Sequence, residues 1–86
     1  MREDANTDAR VWSEADGLHV DVRGLPPPQP LVRIMQIVLG GAAPTLVVHL
    51  DRDPALLYPE LAQAGWGAEA LAGEPGEVRL RLAPLA

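Results

Sequence analysis

Four prolines fall within five residues at Pro26-Pro27-Pro28-Gln29-Pro30. Proline donates no backbone hydrogen bond and crowds the turn before it, so neither a strand nor a helix interior can run through this stretch. The first turn of a helix tolerates it, because the N–H groups there have no partner to lose. The chain must therefore change element here, and its two flanks read differently. Before the prolines, Leu18-His19-Val20-Asp21-Val22 alternates, the period of a strand with Leu18, Val20 and Val22 facing a core. After them, Leu31, Ile34, Met35 and Val38 recur at helical spacing, and Gly40-Gly41 supplies a C-terminal stop.

Downstream, Thr45 to Leu50 is apolar on both faces at its middle, as an interior strand requires. Asp53-Pro54 has the form of an N-cap followed by a first helical position. Pro59 interrupts the helical composition of Ala55 to Ala64, which predicts a single turn over 54–57 and a main helix from Pro59, stopped by Gly65. Trp66 to Leu71 reads as a weaker strand and Gly73-Glu74-Pro75-Gly76 as a turn. Glu77 to Leu82 alternates again, with Val78, Leu80 and Leu82 inward. The order β-α-β-α-β-β predicts an α/β two-layer sandwich, a mixed four-stranded sheet with two helices on one face. Its first two strands should be parallel and its last two a hairpin. Residues 17–86 are expected to form this domain, and residues 1–16 a flexible lead-in, since no apolar period marks 1–10. Val11-Trp12 ahead of Asp16-Gly17 also permits a short hairpin arm with Trp12 over a core edge; the lead-in is the reading adopted.

At 86 residues there is room for one small domain. Cysteine is absent, which excludes disulfides, thiolate metal sites and thiol catalysis. All seven cations are Arg, against twelve acids, for a net charge of −5. That balance argues against binding to nucleic-acid phosphates or anionic membranes. No apolar run approaches the ~20 residues of a membrane span. The polar N-terminus does not resemble a signal peptide, so a cytoplasmic location is expected. Ser13 is the only serine, and no nucleophile–base–orienter set is visible. The chain is therefore expected not to be an enzyme and to need no cofactor. Its expected partner is another protein of unknown identity, with the chain itself a monomer or weak homodimer.

Arg23-Gly24-Leu25-Pro26-Pro27-Pro28-Gln29-Pro30 resembles the Arg-Gly-Leu-x-Cys-Pro-x-Pro signature of the TusA/SirA-like sulfur-carrier superfamily. Leu18 to Val22 is similar to that family's first strand, and Asp53-Pro54-Ala55 to its Asp-Pro-Ala after the second. Ala64-Gly65-Trp66 sits where the family has a Gly followed by its third strand. The resemblance spans about residues 17–83. It implies the TusA-like fold, and it places the family's persulfide-bearing Cys on Pro27. Proline has no nucleophilic atom, so sulfur carriage does not transfer. Leu25-Pro26-Pro27-Pro28 and Asp51-Arg52-Asp53-Pro54 are more similar to an uncharacterised branch, a domain of unknown function. Relatives in that branch are sometimes joined to haemerythrin-like domains, which implies redox or nitrogen-oxide metabolism, while the resemblance to the carriers as a whole implies a link to redox or sulfur metabolism.

Three groups of residues are candidate sites. The first is the rim beyond the carboxyl ends of the first two strands, where open α/β sheets tend to place ligands. It comprises Arg23, Gly24, Leu25, Pro26, Pro27, Pro28 and Gln29 with Asp51, Arg52 and Asp53. Prolines here make a poor anion cradle but a stiff apolar patch, and Pro27-Pro28-Gln29-Pro30 has the P-x-x-P form. Arg23 is expected to pair with Asp51 or Asp53. The expected function is thus a non-catalytic accessory or protein-interaction domain. The second group, His19, His49 and Asp21, lies on the sheet face away from the core and could hold a divalent metal or small ligand. A solvated polar face is the plainer reading. Arg79 and Arg81 share that face as the third group, most simply in cross-strand ion pairs.

Overall fold

The computed structural model describes residues 10–41 and 43–85. Residues 1–9 of the expected lead-in lie outside them. Among the described residues, five strands and two helices occur in the order β1 (Arg10–Glu14), β2 (Gly17–Asp21), α1 (Gln29–Gly40), β3 (Leu46–Leu50), α2 (Leu57–Gln63), β4 (Trp66–Leu71) and β5 (Val78–Pro84). The sheet runs β1-β2-β3-β5-β4. Only β2 and β3 are parallel; the other neighbours are antiparallel.

The mixed α/β architecture with two helices agrees with the sequence reading, but the four-stranded sheet becomes five-stranded. The added strand is β1, in the stretch expected to be loose. Arg10 to Glu14 pairs along its whole length with β2, from Arg10 opposite Asp21 to Glu14 opposite Gly17. The connecting turn needs Gly17, which sits at φ 126°; a Cβ there would lie 2.9 Å from Thr45 Oγ1.

The core is one aliphatic cluster. Ile34 and Val38 of α1 and Leu57 and Leu61 of α2 meet Val20, Leu46, Val48, Leu50, Leu80 and Leu82 of the sheet. The helical spacing of Leu31, Ile34, Met35 and Val38 is what delivers that face. Gly41, at φ 69°, closes α1 in the left-handed conformation that glycine adopts without penalty.

Two local expectations change at α2. The helix starts at Leu57, so Pro59 is its third residue. A first-turn N–H has no helical acceptor, and the proline is accommodated without the loss an interior site would bring. Asp53 is not the cap. The single turn expected over 54–57 does form, closed by Leu57 N–H to the Pro54 carbonyl (2.8 Å), and it separates Asp53 from the helix, whose cap position is Leu56. The Asp53 carboxylate instead accepts the Tyr58 hydroxyl at 2.7 Å.

Candidate functional site

The parallel strands β2 and β3 end side by side, and the segments leaving them form one rim. Val22 N–H donates to the His49 carbonyl at 3.0 Å, which carries the pairing one residue past β2. Gly24 N–H then donates to Asp51 Oδ2 at 3.1 Å and ties the two exits together. Between the proline stretch and the β3–α2 loop lies a pocket of about 320 Å³. Leu31, Ile34, Leu50 and Leu57 line its depth, with Pro27, Pro28 and Pro30 on one side and Pro54, Ala55 and Leu56 on the other. Of the ten rim residues picked from sequence, Leu25, Pro27, Pro28, Asp51, Arg52 and Asp53 line this pocket. Arg23, Gly24, Pro26 and Gln29 do not, although all four are exposed nearby.

Arg23 does not pair with Asp51 or Asp53. It turns back onto Asp21, Nε to Oδ1 at 2.9 Å and the terminal nitrogen to Oδ2 at 2.9 Å. The bidentate geometry matches guanidinium to carboxylate over two residues of separation. These hydrogen bonds outweigh burial and hold the Asp21 carboxyl at about 2, with help from Arg10. Arg52 remains 80% exposed and only 3.9 Å from Asp51, so it is a loosely held cation at the pocket mouth.

The opposite sheet face is not the solvated surface that was the plainer expectation. His19 and His49 are only 4% and 5% exposed. The parallel register places His19 beside Val47 and His49 beside Asp21. The rings meet with His19 Nδ1 2.9 Å from His49 Nε2. Beyond them, Asp16 Oδ1 accepts from His19 Nε2 at 2.7 Å, and Glu77 accepts from His49 Nδ1. Trp12 covers both imidazoles in stacked geometry, with centroid separations of 5.2 and 5.4 Å. It therefore roofs the polar face and not a core edge.

Each end of this chain of side chains is anchored. Arg79 grips Glu77 through Nε (3.2 Å) and its terminal nitrogen (3.0 Å). Burial pushes the Glu77 carboxyl up, but Arg79, the Glu74 N–H and His49 together bring it down to about 2. The hydrogen bond from His19 holds Asp16 below its ordinary value. Arg81 pairs with Glu69 across β4 and β5 at 3.5 Å, as its position suggested.

Sequence reasoning brought His19 and His49 together correctly. Asp21 is adjacent but committed to Arg23 and Arg10, so the three do not converge on one point. The groups that do surround the imidazoles, Trp12, Glu14, Asp16 and Glu77, were not singled out. A signal existed: folding Trp12 back through the Asp16-Gly17 turn places it directly opposite His19.

No helix among the described residues is long and apolar enough to cross a membrane. No curated protein and no solved structure matches the chain. Residues 19–84, which include most of β2 and everything from α1 through β5, match the family described as an uncharacterized conserved protein, DUF2249. The chain belongs to that family.

Proposed function

We propose that this chain is a non-catalytic docking domain whose pocket, between the proline stretch and the β3–α2 loop, receives an apolar segment of a partner protein in the cytoplasm. The observation that carries the reading is the pocket itself. It is apolar in depth, is walled by prolines that lose little entropy on binding, and coincides with the rim expected from sequence. Its mouth holds Asp51 and Asp53 against Arg52, on a chain of net charge −5. That charge favours a segment flanked by basic residues. The resemblance to TusA/SirA-like carriers supports the same reading. Pro27 stands two residues before α1, where those carriers keep a nucleophile, so a carrier-like docking surface is retained here without the reactive atom. The domain works as a monomer or weak homodimer.

A photo-reactive side chain at Leu56, which is 76% exposed in the pocket wall, tests this in extract from the source cell. The expected adduct is an apolar peptide with Arg or Lys neighbours, and Ala55→Trp, which fills the pocket, lowers its yield at least tenfold. An unchanged yield in the filled variant, or turnover of any substrate by the purified chain, rejects the reading.

A further inference from the structure

The tip of the β1–β2 hairpin places three donor groups around one point. His19 Nε2 lies 2.7 Å from Asp16 Oδ1 and 3.7 Å from Glu14 Oε1, and the donor atoms of all three residues fall within 4.8 Å of one another. Ligand atoms around a tetrahedral zinc ion at ~2.1 Å stand about 3.4 Å apart, between the two observed spacings. The imidazole is buried, while Glu14 and Asp16 are about half exposed, so an ion can enter from solvent and meet a fixed nitrogen. We propose that Glu14, Asp16 and His19 form a site for one zinc-type divalent cation, with His49 and Glu77 orienting the imidazole from behind.

A count of protons outside the three ligands supports this. With no cation, the series Asp16–His19–His49–Glu77 contains three hydrogen bonds. Ionised carboxylates only accept, so the three bonds call for three N–H groups, whereas two neutral imidazoles carry two. A cation on His19 Nε2 replaces the outermost N–H. Two then remain: His19 Nδ1–H donates to His49 Nε2, and His49 Nδ1–H donates to Glu77. Both rings are neutral and every ring nitrogen has a partner. A metal-bound histidine is commonly oriented by an acceptor at its other nitrogen, and the His49–Glu77 pair is such an acceptor, anchored by Arg79. On the other side, Trp12 Nε1 donates to Glu14 Oε2 at 2.6 Å, while Glu14 Oε1 is the oxygen near His19. The positive charge of Arg81 is felt at Asp16 and opposes the cation, but its guanidinium pairs with Glu69.

The test uses chelator-treated protein titrated with zinc chloride, read by calorimetry and native mass spectrometry, with cobalt(II) as an optical probe. One ion per chain is expected, with quenching of Trp12 emission by cobalt. Asp16→Asn and Glu14→Gln should each weaken binding at least tenfold while leaving the far-UV spectrum unchanged. Both sites are exposed, and Asn-Gly is itself a favoured turn pair. Glu77→Gln should weaken binding about tenfold through His49. Ala55→Trp, in the docking pocket, should leave the affinity unchanged, so the two proposals fail separately. The site is rejected if millimolar zinc shows no binding, or if the Glu14→Gln, Asp16→Asn double variant binds as the parent does.

Discussion

On the helix side of the sheet, Val20, Leu46, Val48 and Leu82 are buried beneath two helices in a cluster of apolar side chains. On the other side, His19, Val47 and His49 are almost as thoroughly buried without any helix. An indole, two carboxylates and the guanidinium of Arg79 do the covering. The two faces reach low exposure by different physics. Dispersion and the hydrophobic effect hold the first, and they are indifferent to protonation. The second depends on each polar atom keeping its partner, because a buried polar group that loses one is penalised. The sheet should therefore respond to pH through one face and to changes of volume through the other.

Acid should give the largest effect. Asp21 and Glu77 both ionise at about 2 in the folded chain, below their ordinary values of 3.8 and 4.5. Folded values lower than unfolded ones mean stability that is complete above about pH 5 and is lost as pH falls toward 2. Each carboxylate should contribute about 2–3 kcal/mol to that loss. Urea denaturation across this range measures it, and Glu77→Gln should flatten its share of the slope. A pH-independent midpoint would erase the distinction between the faces.

Ile34→Ala comes next, at about 3 kcal/mol, since it leaves a cavity under α1. That loss should be the same at pH 4 and pH 7; a pH-dependent loss would mean the two faces are coupled. Removing the roof should matter less. Trp12→Ala deletes stacking on both imidazoles, at about 1–2 kcal/mol, and should raise the rate at which diethyl pyrocarbonate modifies His19 and His49. Unchanged modification would show that the carboxylates alone shield the rings. The smallest effect belongs to Pro27→Cys. Residue 27 is exposed at the pocket, outside either buried face, and the thermal midpoint should move by no more than about 2 °C.

The helix-side face was legible in the sequence because its signals are local. Alternation over Leu18 to Val22 and over Val78 to Leu82, the helical spacing from Leu31 to Val38, and the glycines at 40 and 41 each state their element within a few residues. The polar face was not, because its partners are distant in the chain. Nothing near His49 names Glu77, and Trp12 becomes a cover only once β1 pairs with β2. Local chemistry also misled. Asp53-Pro54 has the form of a helix start, but the tyrosine four residues past the proline takes the carboxylate instead. Arg23 found an acid two residues behind it before reaching Asp51 across the rim. Pro59 read as an interruption because its position within the helix turns on where the preceding loop ends. The pocket, by contrast, was anticipated at its walls: prolines and the β3 exit had to meet once β2 and β3 ran parallel.

The stretch matched by the family opens at His19, so His19 and His49 lie within it whereas the strand bearing Trp12 lies before it. β1 touches the sheet along a single neighbour, at the border of the molecule. Such a flap is separable in principle from everything beneath it. Whether His19 and His49 of this chain sit dry and paired, or wet and independent, is thus decided by an attachment held along one edge alone.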